Sequence, residues 1–458
     1  MKRLFLPLIL INLLTMQSVA AETLARRGSL GVRMNPPPEE VADVIGAYVS
    51  EVIAGTTGEV IGLEAGDFIT RVGDEPVATT QDVVSAVSGW RAGDSARVVV
   101  MRGSDELTLT GEIAPRPRET SDECRIEYGS VPFDGGQLRT ITYLPKEEGV
   151  YPTVYMIQGY TCGSIDLYYW PDSPQRQLSL GLVRAGYAVF HVEKPFVGDS
   201  DGPADCFDID YDYEMQAFDE VYVALKEFDW VDRENIFLFG HSLGGIAAPI
   251  LGAEHHPRGI AVYGTVAKSW FEYLVDLYRV QETYFGTDYE TIETQARASI
   301  GVLYEFLINK RNPADLEGDP RFAQAFEQDI LGWNAEEETV LNRHYTFWQG
   351  LQDRDLTRAW KDAGCATLAM HGECDIQALN SEGAEMIADI VNQYHPGKGR
   401  FVLLEGTDHG FAKVPPIREY AEMRRDGRYN GRYLSENFNP QVVTELVRWL
   451  NENLAEPG

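Results

Sequence analysis

The sequence has no long apolar run after its first 21 residues, and none reaches the roughly eighteen residues that a membrane-spanning helix needs. Basic residues are also scarce: 39 stand against 71 acidic ones, for a formal net charge of −32. This acidity argues against nucleic acid and anionic membrane surfaces as partners. It names no substrate, and we interpret it as a solvated surface that aids solubility.

Cysteine is rare as well, and none of the five cysteines has metal-ligand spacing. Cys365 and Cys374 flank a predicted strand, which places them too far apart to form a disulfide. Cys162 and Cys206 follow predicted strands in loops and are the best candidate pair. The sequence leaves open whether they are joined. No metal and no organic cofactor is expected.

The N-terminal residues have the pattern of an export signal. Residues 1–3 form a short region with the basic residues Lys2 and Arg3. An apolar run follows at 4–14, and residues 18–21 provide small side chains at the expected cleavage position. We therefore expect residues 1–21 to be a cleaved signal peptide and the mature protein to be periplasmic or secreted. The length of 458 residues predicts two or three domains.

Residues 28–115 contain short predicted strands, glycine turns and one helix, and their most specific segment is the run Gly62–Ile69. Their order resembles a bacterial PDZ domain. The resemblance implies that the backbone N–H groups of Leu30, Gly31 and Val32 take the terminal carboxylate of a peptide ligand. The peptide would add as a strand beside Leu30–Met34, against a helix over Val83–Val87. The alternative is an appendage whose groove is unused.

Residues 116–123 are predicted to be a linker because Pro115 just before them, Pro117 within them and a polar run interrupt regular structure. Beyond them, strands and helices alternate, which predicts a mostly parallel sheet covered on both faces, with an antiparallel lead-in. The predicted strands are Arg125–Gly129, Leu138–Leu144, Thr153–Gln158, Ala188–Glu193, Ile236–Phe239, Gly259–Tyr263, Ala366–His371 and Phe401–Leu404. The predicted helices are Gln175–Ala185, Tyr213–Phe228, Leu243–Glu254, Ser381–Gln393 and Pro440–Leu454.

One strand ends in Gly240-His241-Ser242-Leu243-Gly244, and a helix follows. A strand, a sharp turn with Gly-x-Ser-x-Gly and a helix form a nucleophile elbow, which exposes the serine at its tip. Three other motifs accompany it in order: a Gly-rich loop at 157–163 before it, and the segments 371–375 and 404–411 after later strands. With these motifs, region 124–455 is similar to α/β-hydrolases of the serine aminopeptidase and monoacylglycerol-lipase-like type.

The resemblance implies a catalytic triad of Ser242, Asp375 and His409, in the chain order of this fold. Glu373 stays open as an alternative to Asp375. His241 lies inside the elbow, and His371 ends a strand, so neither competes well with His409.

The resemblance also implies an oxyanion hole with the N–H groups of Leu243 and Tyr160 as donors. The family usually has His-Gly before the second donor, whereas this chain has Gln158-Gly159. The backbone role does not depend on that side chain.

Residues 266–364 separate two parts of the core, 124–265 and 365–455, and we expect them to form a helical cap over the active site. The segment is rich in aromatic residues. Tyr345, Phe347 and Trp348 could line a substrate pocket, and Arg343 and His344 could contact a polar end of the substrate.

The sequence therefore predicts an exported serine hydrolase that cleaves carboxylic esters through an acyl-enzyme. The substrate would be a small ester or a short peptide. One alternative is an exopeptidase or short-peptide hydrolase to which the PDZ-like domain presents peptide ends. Another is a non-catalytic peptide-binding protein that uses only the PDZ-like groove.

Overall fold

The computed structural model describes residues 24–41 and 43–455. The signal peptide predicted at residues 1–21 lies outside the described residues. Within them, no helix combines the length and the apolar character needed to cross a membrane. The described chain forms a small antiparallel sheet with two helices and a large, mostly parallel sheet covered by helices.

The N-terminal sheet has the strand order β1-β2-β3-β5-β6, with β4 paired to β3, and all its pairs are antiparallel. Its core contains Val49, Ile69 and Val98 from the strands and Val83 from helix α2. Strand β1 is at the edge of the sheet. The elements are β1 (Val32–Met34), β2 (Ala47–Val52), α1 (Thr57–Ile61), β3 (Phe68–Val72), β4 (Glu75–Pro76), α2 (Thr80–Val87), β5 (Ser95–Arg102) and β6 (Asp105–Glu112).

The large sheet has eight strands in the order β17-β16-β12-β11-β9-β10-β8-β7. Six strands are parallel, and β8 and β7 form the antiparallel lead-in that the sequence predicts. The strands are β7 (Arg125–Phe133), β8 (Gly136–Leu144), β9 (Tyr151–Ile157), β10 (Ala188–Val192), β11 (Val231–His241), β12 (Gly259–Tyr263), β16 (Ala366–Gly372) and β17 (Gly399–Leu404).

Helices cover both faces of this sheet because alternate side chains of its strands point to opposite sides. In β11, Ile236 and Leu238 join one buried cluster, and Phe237 and Phe239 join the other. The helices around the sheet are α3 (Pro174–Arg184), α4 (Tyr211–Leu225), α5 (Gly244–His255), α12 (Glu382–Tyr394), α13 (Ile417–Arg425), α14 (Gly431–Glu436) and α15 (Gln441–Glu452).

The segment between β12 and β16 is helical, with a π-helical turn at Tyr304–Ile308 and one small antiparallel sheet in the order β13-β14-β15. Its last helix, α11, packs against α5 and α12 of the core. The elements are α6 (Trp270–Tyr284), α7 (Tyr289–Leu303), α8 (Pro313–Glu317), α9 (Ala323–Glu327), β13 (Trp333–Asn334), β14 (Thr339–Val340), β15 (Arg343–His344), α10 (Tyr345–Gln352) and α11 (Leu356–Ala363).

Buried ion pairs join the N-terminal region to the large domain. Arg26 binds both Asp166 and Asp199, and the two carboxylates are only 3% and 2% exposed. Ser29 hydrogen-bonds the Tyr169 hydroxyl. The two aspartates lie in the loops that follow β9 and β10, so the N-terminal region contacts the same loop that carries the predicted oxyanion segment.

Candidate active site

Ser242 lies between β11 and α5 on a strained backbone. Its φ of 55° is in the left-handed region, which side-chain-bearing residues rarely adopt. A Cβ at Gly240 would lie 2.3 Å from the carbonyl oxygen of Gly244, and a Cβ at Gly244 would lie 2.2 Å from that of Ile157. The two glycines therefore let the turn close against the end of β9 and hold Ser242 at its tip.

The amide groups near Ser242 differ in their partners. The Ser242 N–H donates to the Tyr263 carbonyl at 2.9 Å, which anchors the elbow to β12. Within the described part of the chain, the N–H groups of Leu243 and Tyr160 have no hydrogen-bond acceptor. The start of α5 adds the positive end of a helix dipole beside the serine. Two free amides and a helix start at one point are suited to binding a developing negative charge.

His409 and Asp375 form a buried pair, with 2.7 Å between His409 Nδ1 and Asp375 Oδ2. The N–H groups of Gln377 and Ala378 each donate to Asp375 Oδ1 at 2.8 Å, which fixes the carboxylate. Burial opposes both charges, yet the His409 cation lowers the pKa of Asp375 to about 2. In the same way the carboxylate of Asp375 raises the pKa of His409 despite burial.

The competing side chains have other partners. Glu373 is exposed and accepts the N–H of Gly406 at 2.8 Å. The carboxylate of Asp408 accepts the hydroxyl groups of Tyr420 and Tyr429, so it faces away from His409. His241 is held against the His409 carbonyl oxygen, and burial lowers the pKa of His241 to about 3.

Ser242 and His409 line the same cavity, but no hydrogen bond joins their side chains within the described residues. Such bonds are often long or misaligned before a substrate binds, and tighten only in the reacting complex. The structure thus brings Ser242, His409 and Asp375 to one site and leaves Glu373 outside it.

The cavity above Ser242 has a volume of about 420 Å³ and mainly apolar walls. Trp270 and Trp348 from the cap stack in parallel with 5.0 Å between their ring centroids. Apart from His409, Arg424 is the one side chain in its wall that can carry a charge, among the described residues. Arg424 forms no ion pair with any of them. The lining residues are Tyr160, Ser242, Leu243, Ile246, Gly264, Thr265, Val266, Trp270, Tyr273, Leu274, Leu277, Gln281, Phe285, Leu341, Trp348, Ile376, Gln377, Ala378, His409 and Arg424.

The cap residues singled out from the sequence have different positions. Trp348 lines the cavity, whereas Phe347 is fully buried beside it and Tyr345 packs against the core. Arg343, a possible contact for a polar end of the substrate, does not line this cavity: it is 1% exposed and its guanidinium lies over the Phe347 ring. His344 Nδ1 forms a hydrogen bond with the hydroxyl of Thr346 in α10.

Sequence reasoning missed two residues beneath the loop that carries Tyr160. Lys194 Nζ donates to the Gly159 carbonyl at 2.6 Å and lies 3.0 Å from a carboxylate oxygen of Glu214. The loop is also tied by a disulfide between Cys162 and Cys206, which confirms the candidate pair. Lys194 follows a strand and Glu214 falls on the buried stripe of α4, but only the tertiary fold brings them together.

A group with metal-compatible spacing lies elsewhere in the described chain. Asp219, Glu254 and His255 bring one ligand atom each within 4.8 Å of one another. The His255 Nε2 already bonds Asp219 Oδ1, and the His255 ring stacks on Tyr222 at 4.5 Å. These contacts explain the group as a hydrogen-bonded and stacked link between α4 and α5.

In the N-terminal domain, the loop before β1 has free donors. The N–H groups of Leu30 and Gly31 have no acceptor within the described residues, while the Gly31 carbonyl accepts the N–H of Ile53 at 2.8 Å. Val32 begins the edge strand β1 and pairs with Val52 on its inner side. Among the described residues no strand pairs with the outer edge of β1, so this edge has room for strand addition.

Comparison with known proteins gives one family for each domain. The PDZ domain family model matches residues 28–113, and the alpha/beta hydrolase family model matches residues 164–423. A probable periplasmic serine endoprotease DegP-like of Rhizobium meliloti (strain 1021) is 30% identical over 159 residues, covering 32% of this chain and 29% of that protein. The chain thus spans less than a third of that relative.

Solved structures show a distant similarity. Est1E from Butyrivibrio proteoclasticus with bound ferulic acid has a TM-score of 0.40 at 14% identity, covering 65% of this chain and 97% of that one. An esterase of Pyrococcus furiosus has a TM-score of 0.43 at 11% identity, covering 74% and 97%. Because the alpha/beta hydrolase family model matches more than half of the present chain, this chain belongs to the alpha/beta hydrolase family, and it carries a PDZ domain at its N-terminal side.

Proposed function

We propose that the protein is an exported serine hydrolase that cleaves carboxylic esters through an acyl-enzyme. The observation that supports this most directly is one apolar cavity lined by Ser242, by His409 with its Asp375 partner, and by two amides without acceptors. The basic residues Lys2 and Arg3 and the apolar run 4–14 support export, as does the periplasmic name of the DegP-like relative.

In the proposed reaction, His409 Nε2 takes the proton of Ser242 as the serine oxygen attacks the ester carbonyl. Asp375 holds the proton on His409 Nδ1 and stabilises the imidazolium. The N–H groups of Tyr160 and Leu243 bind the oxyanion of the tetrahedral intermediate. His409 then protonates the leaving alcohol, and a water molecule activated by the same base releases the acyl group from Ser242.

The polarity of the cavity favours an ester over the free amino end of a peptide. A peptide α-amine carries a positive charge, and its removal from water costs several kcal/mol unless a carboxylate receives it. No carboxylate lines the cavity in the described part of the chain, and Asp375 is already engaged by His409. Arg424 at the wall would repel the amine further.

A matched pair of substrates tests this preference. We expect p-nitrophenyl hexanoate to be hydrolysed with a kcat/KM about 10²-fold or more above that of p-nitrophenyl 6-aminohexanoate, because the latter must desolvate an unpaired ammonium. The two esters share their leaving group and differ only at the end of the acyl chain. Steady-state release of p-nitrophenol at neutral pH measures both values.

Leucine p-nitroanilide is the test substrate for the exopeptidase alternative. Its cleavage with a kcat/KM equal to that of the hexanoate ester would contradict the ester assignment. Tolerance of the 6-amino group would do the same, because it would show that the cavity accepts a cation.

We propose in addition that the PDZ domain binds the C-terminal end of an extended peptide. The free N–H groups of Leu30 and Gly31 support a carboxylate site, and the open edge of β1 supports strand addition. Tyr169 of the large domain contacts Ser29 in the same loop, so the carboxylate end of the groove would lie against the large domain.

The carboxylate requirement gives a direct test in the full chain. Fluorescein-labelled heptapeptides ending in Val, Leu or Phe are expected to bind at least about tenfold more tightly as free acids than as C-terminal amides, since hydrogen bonds to a charged group contribute about 1.5–3 kcal/mol. Fluorescence anisotropy measures both forms. Equal affinity of acid and amide, or no binding by either, would contradict a C-terminal peptide groove.

A further inference from the structure

A buried charged cluster lies beneath the loop that follows β9. Lys194, Glu214 and Arg343 have side chains that are 0%, 3% and 1% exposed. Lys194 Nζ lies 3.0 Å and Arg343 Nη2 lies 2.9 Å from the same oxygen, Oε2 of Glu214. Neither cation forms another ion pair within the described residues. Two cations therefore share one carboxylate, and the cluster holds one excess positive charge.

Each of the two cations also donates one hydrogen bond to a carbonyl group of the loop. Lys194 Nζ donates to the Gly159 oxygen at 2.6 Å, and Arg343 Nη1 donates to the Tyr160 oxygen at 2.7 Å. The Gly159 carbonyl and the Tyr160 N–H belong to one peptide unit, and in a trans peptide these two groups point in opposite directions. A carbonyl aimed at Lys194 thus aims the Tyr160 N–H away from the cluster.

The other side of this peptide is the side of the nucleophile. A Cβ at Gly159 would lie 3.2 Å from Ser242 Cβ and 3.5 Å from its Oγ, and Tyr160 lines the cavity with Ser242. We propose that Lys194, with Glu214 and Arg343, is a positioning cluster: it fixes the Tyr160 N–H toward the oxyanion and supplies the positive charge that the oxyanion neutralises. This inference rests on the proposed acyl transfer at Ser242.

The charge balance explains why such a cluster accelerates the reaction. An uncompensated charge in a buried site is unfavourable in the resting protein. The tetrahedral intermediate places one negative charge on the other side of the Gly159–Tyr160 peptide, whereas the ester carbonyl it replaces is neutral. The cluster therefore stabilises the transition state more than the bound substrate, which raises kcat and leaves KM nearly unchanged.

The protonation of Lys194 gives the cluster a pH signature. Burial lowers the pKa of Lys194 to about 8, with Arg343 lowering it further and Glu214 opposing both. The charged form is lost as the pH rises through that value. The described charged groups that face the ammonium are the Glu214 carboxylate from α4 and the Arg343 guanidinium from β15.

Replacing Lys194 with methionine removes the charge and keeps most of the side-chain length. We expect Lys194→Met to lower kcat for p-nitrophenyl hexanoate by about 10²-fold, the loss typical of one impaired oxyanion donor, with KM changed by less than about threefold. The fall in activity above about pH 8 should disappear from its pH profile. Lys194→Arg keeps the charge and should recover part of kcat without a fall near pH 8, because arginine does not titrate there.

Arg176→Met is the matched control. Arg176 is also a largely buried cation that pairs with one carboxylate, Glu119, and donates to the carbonyl groups of Pro171 and Thr120. It does not line the cavity. This variant should lose stability in thermal unfolding while its kcat per folded molecule stays within about threefold of the original.

The possible results separate this inference from the function it rests on. An active unmodified chain whose Lys194→Met variant keeps kcat within about threefold, or keeps the fall above about pH 8, overturns the role of the cluster alone. An unmodified chain that hydrolyses no p-nitrophenyl ester overturns the ester assignment and this role with it. If Lys194→Met does not fold, Glu214→Gln should shift the fall in activity to lower pH, and an unmoved profile overturns the role.

Discussion

Ser242→Ala is expected to lower kcat for p-nitrophenyl hexanoate by about 10⁴- to 10⁶-fold, the largest effect of any single substitution proposed for this chain. Without the hydroxyl no acyl-enzyme can form. Only the oxyanion donors and the bound substrate would remain to assist attack by water. Alanine is smaller than serine and keeps the Cβ, so the backbone at φ 55° has no new clash to relieve. Circular dichroism and thermal unfolding should therefore match those of the unmodified protein.

A fluorophosphonate probe provides an independent measurement. The unmodified protein should be labelled at one site, and Ser242→Ala should not be labelled. Ser179→Ala is the matched control, because Ser179 is also buried but bonds His191 and does not line the cavity above Ser242. Retained hydrolysis or labelling in Ser242→Ala would contradict the elbow assignment. Absence of labelling in the unmodified protein would instead favour the non-catalytic peptide-binding alternative.

The sequence predicts the sheet of the large domain because its strands are short apolar runs bounded by turns. Gly259–Tyr263 is predicted to the residue, and Ala366–Gly372 differs by one. The larger error is in β11, which begins at Val231 rather than at Ile236. Residues 232–235 are polar, and the pairing of β11 with β9 is interrupted across them, so no apolar pattern marks the start of this strand.

The contacts between distant segments could not be predicted in this way. The sequence offers Arg343 in the cap as a possible contact for a polar substrate end, but Arg343 is buried, and its guanidinium binds the Glu214 carboxylate and the Tyr160 carbonyl. The contact of Arg26 with Asp166 and Asp199 also depends on how two domains pack. No local hydrophobic periodicity and no turn motif in the sequence indicates either set of contacts. A polar residue in a buried stripe, such as Glu214 in α4, is the one sequence signal that indicates an unseen partner.

The acid of the triad shows the same limit at closer range. Asp375 and Glu373 are two residues apart after the same strand, and the sequence alone leaves either available. In the structure the turn buries Asp375 against His409 and points Glu373 outward to the Gly406 N–H. The backbone course after β16 makes this distinction, and it is set by contacts with the segment that carries His409.

Asp375→Asn and Glu373→Gln form a matched pair that tests this distinction. Asp375→Asn is expected to lower kcat/KM for the ester by about 10³- to 10⁴-fold, because an amide cannot hold the proton on His409 Nδ1 or stabilise the imidazolium. Glu373→Gln should stay within about twofold, since Glu373 is exposed and the amide oxygen can still accept the Gly406 N–H. Steady-state hydrolysis measures both, and the reverse order of losses would assign the acid to Glu373.

The pH profile adds a readout that loss of folding would not produce. His409 must be neutral to act as a base, so kcat/KM of the unmodified protein falls as the pH drops through the pKa of His409. That pKa is raised because the Asp375 carboxylate outweighs the opposing effect of burial. Without the carboxylate, burial alone lowers the pKa, and the residual activity of Asp375→Asn should persist to lower pH. An acid limb that stays in place, or moves to higher pH, would show that Asp375 does not set the charge of His409.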